Sequence, residues 1–475
     1  MSQTHLHALD EALHRTAALV TVSEPLLAAI RALVTTGSDQ QLMHVNPVEF
    51  AKAHGFDKQQ TVTAFVGAAK GGVFHFTWSL TCPLCGYYAN KNHSLNGVAG
   101  TFYCSMCDRV SQVSMDSLVE VAFAVHEAIR SSPGRFGLPL EGGAWLASFK
   151  NPSVRTDPVV LDLLARNMVW NGLLLPAADE TVAVALPSKP TGVACVTHNT
   201  RVTLSCPVGH QGAVVELRDK DITLIEYSKA PGVVIRNRTS REAVCSVAIV
   251  VRDEDFSQEP KAPVFEGFLS GRDLLCNQAF RDLFASETLS AGIAMQIESQ
   301  SVLFTDLKGS TQLYDSIGDL QAFALVSEHF KILLAAVQEG GGAVVKTIGD
   351  AVMATFPQMS EAVGAALQMA KTLERFNQSS GLPPLSLKIG VHVGPCIVVS
   401  SNGRPDYFGQ TVNIAARVQA LAEGDELVLT DVAWKEAGVG AQLAKFGLTG
   451  AVSDAALKGV TDKVKVHTVK MMKVS

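Results

Sequence analysis

Apolar residues recur every three or four positions through the first 75 residues, at Leu9, Leu13, Ala17 and Val20, then at Leu26, Leu27, Ile30 and Leu33. That spacing predicts amphipathic helices. Asn46-Pro47 opens a short helix over 48–54, Gly55 closes it, and 58–69 makes another, stopped by Gly71-Gly72. The pattern then changes to a β-branched and aromatic run at 73–80. Helix, turn, helix and strand is the order of a winged helix. DNA binding and plain packing both fit that order, but the candidate second helix offers phosphates only Lys58 and Lys70, so nucleic acid is not the expected partner.

Residues 115–129 alternate as a strand does and then turn helix-like, which leaves their type open. Residues 133–152 are rich in Gly and Pro and read as loop, and 161–168 as helix. Short apolar runs follow at 182–186, 201–204, 213–217, 222–227, 233–236 and 243–251, cut by Pro, Gly, Asn and Asp in the rhythm of a β-sandwich. Residues 253–263 are charged and read as a connector. A helix is expected over 273–285, leading into a strand at 295–304. Beyond it, Leu313, Ile317, Leu320, Phe323, Phe330, Leu333, Leu334 and Val337 mark a long helical stretch, stopped by Gly340-Gly341-Gly342. Residues 385–391 and 396–399 flank Gly394-Pro395 as a hairpin. From Gln410 the chain reads as helix, with Asn413 and Arg417 on one face.

A length of 475 residues suits two to four domains, and 47% hydrophobic residues fill their cores. A net charge of −6 gives no general pull toward nucleic acid or anionic membrane. No apolar run reaches the length needed to cross a bilayer; the best candidate, 159–175, is broken by Asp162 and Arg166. The N-terminal stretch has no basic-then-apolar leader pattern, so a cytoplasmic location is expected.

Nine cysteines in so long a chain do not suggest a disulfide scaffold. Four of them form two C-x₂-C knuckles, Cys82/Cys85 and Cys104/Cys107, with 18 residues between. This is zinc-ribbon spacing, and four thiolates leave a Zn²⁺ no open position. Reduced structural cysteines or a redox pair are the alternatives. Asp306 ends an apolar strand before a Gly-containing loop, where Ser310 and Thr311 are expected to cap a helix. Asp350 sits at a Gly349-Asp350 turn joining two β-branched runs. Two such carboxylates are a seat for Mg²⁺ or Mn²⁺ with positions left for phosphate.

Taken with the stretch from Asp406 to Arg417, these motifs resemble the catalytic domain of class III nucleotidyl cyclases, from about Ser299 onward. The resemblance implies an α/β (α+β), ferredoxin-like or palm-like fold and a head-to-tail homodimer with two composite sites. It makes Asp306 and Asp350 the ligands of two Mg²⁺ or Mn²⁺ per site. Lys346 and Asp406 become the purine readers, in the combination that selects adenine. Asn413 orients the ribose and Arg417 stabilises charge on the α-phosphate. Backbone N–H groups of Leu307, Lys308, Gly309, Ser310 and Thr311 cradle the triphosphate. The implied activity is conversion of ATP to cyclic AMP and pyrophosphate. A guanylate cyclase and a non-catalytic nucleotide sensor are the alternatives. The paired knuckles ahead of a cyclase resemble an N-terminal region of some bacterial cyclases, which implies regulation by an unknown ligand or protein. The expected organisation is therefore a helical, winged-helix-like 1–75, a zinc ribbon at 76–112 carrying one structural Zn²⁺, a mixed then β-rich 113–270, a connecting helix at 271–290 and the catalytic domain at 291–475.

Overall fold

Packing divides the chain into two units, Met1–Val113 with Ser117–Leu269, and Ser114–Asp116 with Ser270–Ser475. In this computed structural model the described residues are 2–130, 151–251 apart from 152, 156, 176 and 240–244, then 264–265 and 267–471. The loop expected at 133–152 (save 151) and the connector expected at 253–263 lie outside the described residues.

The first unit opens with helices at Gln3–Leu19, Glu24–Thr36, Asp39–Leu42, Pro47–His54 and Lys58–Gly71. Their ends follow from local chemistry. The Asn46 side chain accepts the N–H groups of Val48 and Glu49, Gly55 closes the same helix at φ 70°, and Asp57 caps the next one. Phe74–Thr81 is the middle strand of a three-stranded antiparallel sheet, between Tyr88–Asn92 and Val119–Val125. The undecided stretch 115–129 is thus a strand at its centre. Val119 to Ala124 are all buried, so both faces of this strand are covered.

Besides the short pairs Thr101–Cys104 with Arg109–Gln112 and Val154–Arg155 with Val264–Phe265, this unit holds two four-stranded sheets. One has the order Thr200–Leu204, Thr191–Cys195, Cys245–Val251, Met168–Leu174; the other Ile222–Ser228, Gly212–Leu217, Gly232–Asn237, Asp179–Val182. Val193, Val247 and Ile249 of the first meet Val215, Val233 and Ile235 of the second in one core, as the sandwich rhythm predicts. The strand expected at 182–186 lies instead at Asp179–Val182, where only Val182 is buried and the apolar signal is weak.

The second unit begins with Gly271–Leu275 (α1) and Gln278–Leu283 (α2), where one helix was expected. Asn277 makes the break: its side chain accepts the Phe280 N–H at 3.1 Å and starts a new helix in mid-run. Then follow Ala294–Leu307 (β1), Ser310–Ile317 (α3), Asp319–Glu339 (α4), Ala343–Ile348 (β2), Ala351–Phe356 (β3), Met359–Ser380 (α5), Leu387–Ser401 (β4), Arg404–Phe408 (β5), Gln410–Gln419 (α6), Glu426–Thr430 (β6), Asp431–Trp434 (α7), Val439–Lys445 (α8), Gly450–Ala455 (β7) and Val464–Lys470 (β8). The expected long helix is two, α3 and α4, parted at Gly318 with φ 78°.

The strands form one sheet in the order β2-β3-β1-β4-β6-β8-β7, with β5 paired to β4, and only the β4–β6 pairing is parallel. Side chains alternate across it. Leu427 and Leu429 join the large core under α4 and α5, while Val428 between them joins the smaller core under α6. The sheet therefore carries helices on both faces, the α/β arrangement expected of this region. Helix α4 is long and apolar enough to cross a membrane on length and hydropathy, a candidate the sequence scan passed over. Its Leu325, Leu333 and Val337 lie inside the core, where a packed helix of a globular domain places them.

The expected hairpin at Gly394-Pro395 is not there. Both residues lie within the single long strand β4. Opposite them β1 is bulged between Ile297 and Gln300, so the N–H that Pro395 lacks has no ladder partner to miss. The hairpin comes later, at Asn402-Gly403, with φ 51° and 72°. That is the Asn-Gly signal of a tight two-residue turn.

Candidate functional site

Asp306 is the last residue but one of β1, and Asp350 follows Gly349 in the β2–β3 turn. The neighbouring Thr305 hydroxyl accepts the Val352 N–H at 3.2 Å and ties the two strands together beside the carboxylates. Asp350 accepts the Leu307 N–H at 3.3 Å. The Asp306 carboxyl is held above the usual carboxylate range, first by burial and then by the negative Asp350 beside it. Lys388, 3.6 Å away, pulls the other way without cancelling them. Behind the turn, His329 is fully buried and pushed down to about 4 by that burial, so it stands neutral against the Asp350 backbone.

A carboxyl held up by burial and by a second carboxylate beside it belongs to a donor set that a divalent cation would relieve. The oxygens of the pair fit Mg²⁺ or Mn²⁺. A cleft of ≈ 460 Å³ opens beside them, lined by Ser310, Tyr314, Phe323, Phe330, Gly349 and Asp350.

The expected caps on α3 are absent. Gly309 occupies the N-cap position at φ 71° without a side-chain cap, and Ser310 is already helical. Two of the N–H groups expected to cradle phosphate are already used. That of Leu307 donates to Asp350, and that of Lys308 to the Ser386 carbonyl at 2.9 Å.

A second cluster forms on the first strand of the same hairpin, where Lys346 stands four positions before Asp350. Lys346 donates from Nζ to both oxygens of Asp406, at 2.9 and 2.7 Å. The same carboxylate accepts the Tyr407 N–H at 2.8 Å, and the Phe408 ring lies 5.7 Å from the ammonium. Asn413 and Arg417 both stand on α6; Asn413 is exposed and Arg417 half-buried. The Arg417 guanidinium lies over Gly459, where a Cβ would stand 3.4 Å from it. Helix α6 itself rests on Gly390 of β4. A Cβ there would meet the Gln419 backbone nitrogen at 2.2 Å. The sequence reading missed Gly390. Its signal was a glycine inside an otherwise β-branched strand, the mark of close backbone approach.

In the first unit the thiols of Cys82, Cys85, Cys104 and Cys107 gather so that all lie within 4.8 Å of one another. Cys82 stands 3.9 Å from Cys107 and Cys85 3.7 Å from Cys104. Gly86, at φ 71°, completes the first knuckle. Three of the four cysteines are buried, and the set fits a tetrahedral Zn²⁺ with no position left over. Among the described residues this is the one such group of His, Cys, Asp and Glu ligands. The Cys195-x₂-His198 and Cys206-x₃-His210 pairs, whose residue types could also ligate a metal, form no such group among the described residues.

Residues 7–282, over half of the chain, match the model of a family of unknown function (DUF5939), and residues 293–470 match that of the adenylate and guanylate cyclase catalytic domain. The chain belongs to the DUF5939 family and carries an adenylate and guanylate cyclase catalytic domain. An adenylate cyclase of Anabaena cylindrica is 29% identical over 160 residues, which cover 30% of this chain and 32% of that protein. One of Lachancea kluyveri is 31% identical over 183 residues, covering 34% and 10%. The chain thus spans a third or less of the length of these relatives. Among solved structures, the adenylyl cyclase CyaB from P. aeruginosa is similar at 20% identity, covering 38% of this chain and 97% of that one, with a TM-score of 0.33. The guanylate cyclase domain of RhGC from Catenaria anguillulae in complex with GTP is similar at 22%, covering 38% and 99%, with a TM-score of 0.32.

Proposed function

We propose that the cyclase domain of this chain converts ATP to 3′,5′-cyclic AMP and pyrophosphate, and that it works as a homodimer. The observation that carries the reading is the Lys346–Asp406 pair, closed at 2.7–2.9 Å, with the lysine 37% and the aspartate 14% exposed. An ammonium donates to adenine N1 and a carboxylate accepts from the N6 amino group, whereas guanine presents the opposite pattern at those atoms. The pairing holds each group in place for that edge before nucleotide arrives.

Two Mg²⁺ or Mn²⁺ ions, held by Asp306 and Asp350, would supply Lewis acidity toward the ribose 3′-hydroxyl and the triphosphate. The chain's own residues do the rest by positioning. Asn413 orients the ribose, and Arg417 places a fixed positive charge on the α-phosphate as negative charge builds there. The N–H groups of Gly309, Ser310 and Thr311, still available at the start of α3, meet the phosphates. The 3′-oxygen forms its bond to the α-phosphorus as the bond to the bridging oxygen breaks. Pyrophosphate leaves with that electron pair, and the 3′-hydroxyl proton passes to solvent.

The dimer reading is supported by an apolar fringe around the site. Leu320, Phe323, Ile348 and Phe408 are exposed by 84, 65, 55 and 46%. Covering such side chains is what a second copy would do. The four thiolates hold one Zn²⁺ as a structural site, and the first unit serves regulation. The names of the similar adenylate cyclases agree with the proposed substrate. The test is product analysis of the full chain with ATP and GTP, each with Mg²⁺ or Mn²⁺. Cyclic AMP as the main product is expected. Cyclic GMP as the main product makes the chain a guanylate cyclase, and no product with either makes it a nucleotide sensor.

A further inference from the structure

Helix α2 lies outside the residues matched to the cyclase domain model, yet it reaches the base-reading pair. Asn277 caps it and Phe280, 1% exposed, anchors it. Two of its side chains then grip strand edges. The Gln278 side-chain oxygen accepts the Val344 N–H at 2.7 Å. Arg281 donates from Nη2 to the Pro405 carbonyl at 2.8 Å and to the Val345 carbonyl at 3.5 Å. Val345 and Pro405 immediately precede Lys346 and Asp406.

The local backbone explains why a grip is needed there. The β2–β3 ladder is bulged between Val344 and Lys346, so Val345 is the extra residue and has no partner opposite it. A bulge re-aims the next side chain and leaves a main-chain group outside the ladder. Strand β5 pairs with β4 alone, so its other edge also lacks a strand. Arg281 meets both edges with one planar guanidinium. Among the described residues no carboxylate pairs with it, and its Nη1 is buried without a partner. Its charge is therefore committed to two main-chain carbonyls, each one residue upstream of a base-reading side chain.

We infer that Arg281 is a positioning residue for base selection: it sets the spacing and aim of Lys346 and Asp406, with Gln278 fixing the same bulge from its other side. The inference rests on the reading that Lys346 and Asp406 meet the purine. It also gives α2 a specific role, since a displacement of that helix would reach nucleotide recognition before it reached the carboxylates.

The test uses the full chain and three steady-state quantities: KM for ATP, the inhibition constant of GTP as a competitor, and the inhibition constant of inorganic pyrophosphate, which has no base. Arg281→Met should raise KM for ATP about tenfold while kcat changes far less, as expected for an ångström-scale misplacement of a binding pair. The preference for ATP over GTP should fall in step, and pyrophosphate inhibition should stay at the wild-type value. Arg281→Lys keeps one donor and should fall between the two; it carries the test by itself if circular dichroism shows that Arg281→Met does not fold. An unchanged ATP-to-GTP preference in a folded variant overturns the inference, as does an equal weakening of pyrophosphate. Asp406→Asn separates this from the underlying reading. If it shifts the preference and the Arg281 variants do not, only the role of Arg281 is lost. If Asp406→Asn also leaves the preference unchanged, the base-reading assignment falls first.

Discussion

The thiols of the first unit and the carboxylates of the second are two candidate metal seats built on opposite plans. Cys82, Cys85, Cys104 and Cys107 come from two tight knuckles, lie within 4.8 Å of one another and are mostly buried. Asp306 and Asp350 come from a strand end and a turn tip; Asp350 lines a cleft, and burial with the Asp350 charge holds the Asp306 carboxyl above its usual range. What separates the two is the number of ligands the chain supplies. Four soft donors saturate a tetrahedral ion and leave it nothing to do but hold the fold. Two hard donors leave most of an octahedral ion's positions open to substrate and water. The closed seat is complete in sequence as well as in space. On the proposed reading the open one is completed only by nucleotide and by a second chain.

The largest expected effect tests the open seat. Asp306→Ala and Asp350→Ala should each lower cyclic nucleotide formation by at least about a hundredfold, the scale of losing one preorganised charge-stabilising group. The two should differ in stability. Asp306 has a third of its side chain exposed and should be neutral to remove. Asp350 accepts the Leu307 N–H, so its loss should cost about 1 kcal/mol in chemical denaturation. Near-normal turnover in either variant would break the two-carboxylate assignment.

The closed seat should respond in the opposite sense, through stability. Cys85→Ser should remove the one Zn²⁺ per chain measured by elemental analysis. Losing a structural zinc removes several kcal/mol of folding free energy, so the melting transition of the first unit should fall by about 10 °C or more. Wild-type protein without zinc, its four thiols titrating freely in the folded state, would erase the contrast between the seats.

Both candidate seats stand out in the sequence, for different reasons. The knuckles are local: two residues apart within each pair, their geometry follows from a turn. The carboxylates, Lys346, Asp406, Asn413 and Arg417 were found as separated motifs in a family's order, and the fold brings Lys346 to Asp406 across 60 positions. What sequence left hidden was mostly long-range. Where the strand-like alternation of 115–129 gives way was not settled locally, because neighbours cover both faces of Val119–Val125. The bulge opposite Pro395 belongs to another strand, so Gly394-Pro395 read as a turn while Asn402-Gly403, the better turn signal, was passed over. The grip of Arg281 on two distant carbonyls has no sequence signature at all.

A smaller effect comes from Gly390, which lets α6 rest on β4. Gly390→Ala places a methyl 2.2 Å from one main-chain atom of Gln419 and 2.4 Å from another. A helix backbone cannot swing aside as a side chain can, so overpacking should cost about 1–3 kcal/mol. Activity should fall with it, because α6 carries Asn413 and Arg417. Gly440→Ala is the control: nothing lies within 4 Å of its Cβ position in α8, and the substitution should be tolerated. Wild-type stability and turnover in Gly390→Ala would mean that the helix holding Asn413 and Arg417 is not set by this contact.

The smallest expected signal is the most discriminating for the open seat. If each site takes its aspartates from one chain and its Lys346, Asp406, Asn413 and Arg417 from the other, then Asp350 and Lys346 of one hairpin serve different sites. An Asp306→Ala chain and an Arg417→Ala chain should each be inactive alone. Mixed, they form heterodimers in which one site carries both lesions. The other is intact, with aspartates from the Arg417→Ala chain and Arg417 from the Asp306→Ala chain. Random pairing puts about half of the dimers in the mixed form, each with one working site of two, so roughly a quarter of wild-type activity should return if the sites act independently. Cyclic AMP formation should peak near equal amounts of the two chains. The zinc seat allows no such rescue: a Cys85→Ser chain mixed with a Cys107→Ser chain should regain neither zinc nor melting temperature, because its four ligands lie in one chain. Heterodimers that form by size exclusion and crosslinking yet stay inactive would place the whole open seat within a single chain, like the closed one.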